Sequence, residues 1–281
     1  MPQTKEPWNT IAILGVGLIG GSIGMAVRSR GLARRVIGIG RRRSTLDKAK
    51  RLGAIDSGTT SIARGVAEAD LVIVCTPVEL IVQQVGEIAA ACPAECLITD
   101  AGSTKGAIVK ALDATDVRFV GSHPLAGSEK TGCEHGDADL FVDRACVITP
   151  GKKTRPEDYQ AIDRFWSSLG MRTLRMTPSA HDRALASTSH LPHVVAAALA
   201  SATREKDLPL VAGGWLDTTR IAAADEQLWR QILLDNQANT LSALDEFQAA
   251  LDALRKAIEA SDAPRLERLL HKGKARREAA D

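Results

Sequence analysis

The sequence predicts an α/β chain in which a doubly wound parallel sheet comes first and an all-helical domain follows. Three observations carry that expectation. Short apolar runs alternate with helical patterns through the first half, a glycine-rich turn joins the first run to the first helix, and strand-like patterning stops after Met176. At 281 residues the chain can bury a proper core in two domains, expected over 1–178 and 179–281 with the boundary near Thr177-Pro178.

Residues 10–14 are the first apolar run. They end in Gly15-Val16-Gly17-Leu18-Ile19-Gly20, and residues 21–26 continue with helical spacing. G-x-G-x-x-G is a weak signal alone, but here a strand precedes it and a helix follows. Gly15 allows the tight turn, Gly17 lets backbone approach a pyrophosphate, and Gly20 permits close packing of helix on strand. Amides at the helix start then bind the anion. The first domain is therefore expected to be dinucleotide-binding, of the Rossmann type.

The next strand is 36–39. An NAD site would end it with a carboxylate for the ribose 2′-hydroxyl, yet here Gly40 is followed by Arg41-Arg42-Arg43-Ser44-Thr45. Guanidinium groups in place of a carboxylate attract a 2′-phosphate, so NADP is expected in preference to NAD, held by Arg41 and Arg42 with a Ser44 or Thr45 hydroxyl assisting. Residues 71–75 form a near-continuous apolar strand, as in a parallel sheet covered on both faces. Thr76-Pro77 ends it, and a helix over 78–90, a strand over 96–99 and the loop Asp100-Ala101-Gly102-Ser103-Thr104-Lys105-Gly106 follow. In such a sheet ligands bind at the carboxyl ends of the strands, where Thr76, Ser103 and His123 all fall. Ser103 can cap the helix after it, and its hydroxyl can also hold His123 in a useful orientation and tautomer.

Residues 121–132 read G-S-H-P-L-A-G-S-E-K-T-G, directly after an apolar run ending at Val120. A histidine, hydroxyls, a carboxylate and an ammonium between glycines cannot be core. A strand is expected to deliver His123 to a loop at its carboxyl end.

Composition excludes several other classes. The formal charge is +2 and the basic residues are scattered apart from Arg41 to Arg43 and a cluster at 272–277, so there is no nucleic-acid footprint. The N-terminus has no apolar segment and no run is long enough to span a bilayer, which gives the expectation of a soluble cytoplasmic protein with a small-molecule substrate. Five cysteines do not make a disulfide framework. Cys75 and Cys146 lie in apolar runs as inert thiols, and the C-x3-C of Cys92 and Cys96 lacks a second pair, so no structural metal is expected.

In this order G-x-G-x-x-G, C-T-P, D-A-G-S-T-K, G-S-H-P-L-A-G-S-E-K-T-G, Ser189-His190-Leu191-Pro192-His193 and Gly213-Gly214-Trp215-Leu216-Asp217-Thr218-Thr219-Arg220 resemble the prephenate and arogenate dehydrogenases of tyrosine biosynthesis, over nearly the whole chain. The H-P-x-A-G and S-H-L-P-H motifs are the specific ones. The resemblance implies oxidative decarboxylation of a cyclohexadienol, with hydride passing to the nicotinamide and the ring becoming aromatic. It implies that His123 accepts the ring-hydroxyl proton and that Ser103 orients it. It gives Ser128, Glu129 and Lys130 to a loop closing over the substrate, with Glu129 a gating acid, and Ser189, His193 and Arg220 to the substrate side, Arg220 binding a carboxylate. Cofactor contacts then come from Gly15, Gly17, Leu18, Ile19, Gly20, Arg41, Arg42, Thr45, Thr76 and Pro77.

The second half has its own evidence. A helix is expected over 157–169 and a last strand over 171–176, with helical patterning from Ala180 onward. Ser189 and His193 are four apart and share one helix face, which Pro192 bends. Asp225 reads as the N-cap of a long final helix, leaving Arg220 in the preceding turn. Leu244, Phe247, Leu251, Leu254 and Ile258 recur at spacings of three and four, either as a domain core or as a seam with a second chain. Roughly 100 helical residues make a thin core, so a homodimer through the C-terminal helices is expected. Two rivals are a β-hydroxyacid dehydrogenase and a nucleotide sensor without catalysis. The first wants a helical lysine as proton donor, and Lys206 is the only lysine between Ser179 and Trp229.

Overall fold

The computed structural model describes residues 7–127 and 130–279. The chain opens with β1 (Trp8–Leu14), α1 (Leu18–Ser29), β2 (Ala33–Ile39), α2 (Arg43–Arg51), β3 (Ser57–Thr59), α3 (Ile62–Val66), β4 (Leu71–Val74) and α4 (Val78–Ala89). It continues through β5 (Leu97–Asp100), α5 (Gly106–Leu112), β6 (Phe119–Pro124), β7 (Ala145–Thr149), α6 (Pro156–Ser168) and β8 (Arg172–Arg175). These strands make one sheet in the order β3-β2-β1-β4-β5-β6-β7-β8. Pairing is parallel from β3 to β6, antiparallel between β6 and β7, and parallel again between β7 and β8.

Strand alternation sorts the apolar side chains onto the two faces. Ile11, Ile13, Leu71 and Ile73 bury against Ile23 and Val27 of α1, Leu46 of α2 and Phe165 and Trp166 of α6. Ala12, Leu14, Val72 and Val74 bury against Ile81, Val85 and Ile88 of α4 and Ile108 and Val109 of α5. The expected doubly wound sheet is therefore present. The register levels Leu14 with Ile39 and Val74, and Val74 with Asp100, which sets the carboxyl ends of four strands along one edge.

One departure bears on the site. β6 does not stop at Val120. Val120 lies opposite Thr99, near the end of β5, and β6 then runs on by pairing His123 with Val147 and Pro124 with Cys146 of β7. His123 thus stands on a strand rather than in a loop, its backbone fixed by an antiparallel partner that the apolar pattern did not reveal.

Beyond β8 every described element is helical: α7 (Pro178–Leu185), a π-turn (Ala186–His190), α8 (Leu191–Ala202), α9 (Gly213–Thr219), α10 (Glu226–Asp235), α11 (Gln237–Glu259) and α12 (Ala263–Glu278), with short 3-10 turns at Glu205–Leu210 and Arg220–Ala223. Asp225 does cap a helix, its carboxylate accepting from Leu228 N at 2.8 Å. That helix is not the final one, because it ends at Asp235 and Asn236 starts the longer α11. Among the described residues no helix is long and apolar enough to cross a membrane.

Candidate active site

The glycine turn is shaped by contact. Gly15 has φ of +94°, and a Cβ there would meet the Cys75 carbonyl oxygen at 2.7 Å. A Cβ on Gly20 would lie 2.1 Å from the Gly15 oxygen, so only glycine lets α1 pack this closely on the turn. Around Gly17, by contrast, a Cβ would meet nothing within 4 Å, and α1 starts there without a side-chain cap. Amides at the start of a twelve-residue helix thus face open space, an arrangement that fits a pyrophosphate.

The neighbouring loops converge on this turn. Gly15 N donates to Ile39 O at 2.8 Å and Cys75 N to Leu14 O at 2.7 Å. Arg41 and Arg42 follow β2, both exposed, and among the described residues neither makes an ion pair, whereas Arg43 faces Asp47 at 3.9 Å. Thr45 lies within the first turn of α2, Thr76 Oγ1 donates to Gln84 Oε1 at 2.5 Å, and Pro77 opens α4. The segment after His123 turns back over the same place. A Cβ on Gly127 would lie 3.9 Å from Ile19, and Asp137 N donates to Ser22 Oγ at 3.0 Å.

His123 is partly exposed, and its Nδ1 lies 2.8 Å from Nε2 of His181 on α7. His181 Nδ1 in turn lies 2.8 Å from Asp182 Oδ1. The Asp182 carboxylate also accepts from Lys105 N at 2.9 Å and Gly106 N at 2.8 Å. Burial pushes the Asp182 carboxyl up, but the bonds from His181 and the two amides outweigh it and hold it below the usual carboxylate range. Burial first, then the neighbouring charges of His181, Lys105 and His190, hold His123 well below 6.5, so it rests neutral.

Beneath His123 lies a buried polar floor. Lys105 and Asp100 are wholly enclosed and paired, and Lys105 Nζ also donates to Ser122 O at 3.0 Å. Asp100 accepts from Gly102 N and Ser122 N, both at 3.0 Å, and Trp166 Nε1 donates to Ser122 Oγ at 3.0 Å. Each bond ends on Ser122 or on the loop before α5, which fixes the strand one residue from His123.

The helical wall faces this edge. α7 passes through the π-turn into α8 without a break, and Pro192, which has no N–H to give, sits in the first turn after it. The wider turn takes up the distortion, so the expected proline bend appears as a π-turn containing Ser189 and His190. His193 stacks on Trp229 with an interplanar angle of 22°, and Trp229 also meets the edge of His190. Burial first, then the charges of His190 and Arg220, lowers His193 to about 4. Arg220 opens the 3-10 turn before Asp225, and this break lets the arginine and Trp229 bear on one histidine.

The site therefore joins an anion cradle, a neutral histidine with one ring nitrogen engaged, and a wall carrying histidine, tryptophan and arginine. The chain matches the family described as prephenate dehydrogenase, nucleotide-binding domain, over residues 23–175, and prephenate dehydrogenase, dimerization domain, over 177–272. It is 37% identical over 278 residues to the prephenate dehydrogenase of Bacillus subtilis, covering 95% of this chain and 74% of that one. The chain belongs to the prephenate dehydrogenase family. The cyclohexadienyl dehydrogenase of Zymomonas mobilis is 36% identical, over 90% of this chain and 89% of its own. A crystal structure of prephenate dehydrogenase from Aquifex aeolicus, in complex with hydroxyphenyl propionate and NAD+, superposes with a TM-score of 0.92 at 32% identity, covering 99% of this chain and 100% of that one.

Within this prephenate dehydrogenase fold the expected residues are placed unevenly. The glycine turn, Arg41, Thr76 and His123 line one sheet edge, and His193 and Arg220 share the helical wall. Ser128 and Glu129 lie outside the described residues, and Lys130 is exposed. Ser103 is partly buried in the loop before α5 but does not cap that helix, whose N-cap is Lys105. The nitrogen Nδ1 of His123 is engaged by His181. Sequence reasoning missed His181, Asp182, Asn236 and the burial of Lys105. The adjacent His181-Asp182 pair just past the last strand was the available signal for the first two.

Proposed function

We propose that this member of the family oxidatively decarboxylates prephenate, L-arogenate or both, to 4-hydroxyphenylpyruvate or L-tyrosine, with NADP as the preferred hydride acceptor. The observation that carries this reading is His123, held neutral at the sheet edge beside the glycine cradle with Nδ1 engaged by His181 at 2.8 Å. Bound in that cradle, the nicotinamide cofactor supplies the hydride acceptor. His123 Nε2 takes the proton of the ring hydroxyl as hydride departs and the ring carboxylate leaves as carbon dioxide, and it returns that proton to the phenolate oxygen once the ring is aromatic. Ser103 is the second catalytic group of this reading and helps orient the His123 ring. Arg220 binds a substrate carboxylate, and Ser189, His193 and the 128–130 loop complete the substrate side, where a pyruvyl or amino-acid tail is chosen.

The test is turnover efficiency on prephenate and arogenate with each cofactor, for the native chain and for Arg41→Gln with Arg42→Gln. The native chain is expected to work better with NADP. A charge-assisted bond to a phosphate contributes about 1.5–3 kcal/mol, so the loss of even one in the double substitution should raise KM for NADP by roughly 10- to 150-fold and leave KM for NAD nearly unchanged. Equal losses for both cofactors would show that these arginines do not read the 2′-phosphate. No turnover of either substrate with either cofactor would overturn the function itself.

The same reading includes a homodimer formed through the C-terminal helices. On α11, Leu244, Phe247 and Leu254 are half-buried against their own chain, while Leu241 and Leu251 are each 52% exposed and Ile258 62% exposed. A chain with the dimerization-domain match and these apolar groups in solvent is expected to run in light scattering at twice its 29.9 kDa mass at micromolar concentration. Leu251→Glu with Ile258→Glu should shift it toward one chain, and a native mass of one chain would sink the assignment.

A further inference from the structure

Two groups in series, His181 and then Asp182, lead away from His123. Asp182 is held ionised and accepts two backbone amides, so it has no proton to give, and the 2.8 Å contact requires His181 to donate from Nδ1. His181 Nε2 in turn lies 2.8 Å from His123 Nδ1. We propose that Asp182 and His181 are positioning residues that fix the catalytic tautomer of His123: the carboxylate holds the single proton of His181 on Nδ1, the lone pair on His181 Nε2 accepts from His123 Nδ1, and His123 Nε2 is left without a proton.

This deepens the reading of His123 as the base and rests on it. When Nε2 takes the substrate proton, the Nδ1–H bond to His181 shortens against a positive charge, and the charge is balanced two groups away by the Asp182 carboxylate. No atom of Asp182 or His181 changes covalent partner. The groups that face this series are Lys105 from the loop before α5, His190 from the π-turn, and Asp182 itself from α7. His190 is held apart from the series by Asn236, whose Nδ2 lies 3.1 Å from His190 Nδ1 and donates to the Asp182 carbonyl at 2.7 Å. Asp182 also spans from the helical segment to the amides of Lys105 and Gly106, so the tautomer depends on the helical wall being docked.

Asp182→Asn tests this with little change of volume. His181 Nδ1 and the Lys105 amide share Oδ1 while the Gly106 amide takes Oδ2, so an asparagine that keeps its oxygen on Gly106 presents its NH2 to His181 Nδ1, which reverses every donor in the series and puts the His123 proton on Nε2. The expected result is a fall in kcat on the order of a hundredfold or more, with KM for the cofactor near its native value. Nitrogen-15 spectra of histidine-labelled holoenzyme should show the His123 proton moving from Nδ1 to Nε2. His181→Gln, whose oxygen can accept from His123 while its NH2 donates to Asp182, should retain clearly more turnover than His181→Leu. A His123 proton still held on Nδ1 in both Asp182→Asn and Asp182→Leu, the second of which offers His181 no acceptor in either rotamer, overturns the proposal, as does native kcat in both while His123→Asn is inactive. If His123→Asn itself stays active, the base assignment fails separately, and the spectrum alone still decides whether the series sets the tautomer.

Discussion

Replacing His123 with asparagine is expected to lower kcat by on the order of a hundredfold or more, about 2.7 kcal/mol or above in barrier, while affinity for the nicotinamide cofactor stays at the native value. The cofactor cradle is built from Gly15, Gly17 and Gly20 and the loops after β2 and β4, none of which depends on the imidazole. An asparagine NH2 can still donate to His181 Nε2, and β6 remains paired with β7, so the change removes a basic lone pair and little structure. Single-turnover kinetics and a cofactor titration check the two halves. Weakened cofactor binding with native turnover would contradict the assignment. The native pH profile follows in sign. The neutral form is the active one, and burial with nearby positive charge puts its folded value well below 6.5, so this group removes activity only as pH falls below that ordinary value. A His123-dependent loss of kcat already complete at pH 6.5 would contradict the electrostatics of the site.

The fold was legible because its signals are local. The glycine turn needed a strand before it and a helix after it, both visible as apolar patterns, and the fully apolar β4 announced a sheet covered on both faces. The continuation of β6 through His123 was not legible, since its partner β7 is more than twenty residues away and residues 121–124 mix glycine, serine, histidine and proline. The site divides in the same way. Arg41 and Thr76 follow from their places at strand ends, while the contact of His123 with His181 spans 58 positions and depends on how α7 docks. Lys105 falls in the polar loop over 100–106, and only the structure shows it wholly buried. Pro192 correctly marked a distortion, but sequence could not distinguish a bend from an inserted π-turn.

Lys105→Met is expected to destabilise the fold by about 3–5 kcal/mol, the usual consequence of leaving one member of a buried ion pair without its partner. Asp100 and Lys105 are both fully enclosed, and Asp100 would keep two amide donors, from Gly102 and Ser122, but lose the cation that balances it. In a chain of this size that corresponds to a fall in Tm of roughly 6–20 °C. Asp100→Asn combined with Lys105→Met removes both charges and should recover a large part of the loss, which separates an unpaired charge from lost packing. A single-variant loss of only a few tenths of a kcal/mol in urea unfolding would show that the pair does not hold the loop. The consequence reaches the chemistry through backbone. Ser122, gripped by Asp100, Lys105 and Trp166, immediately precedes His123, and the Lys105 amide is one of the two that hold Asp182. Below its lowered Tm the variant should therefore also lose kcat before it loses cofactor binding, because both ends of the histidine series loosen while the glycine turn between β1 and α1 is untouched.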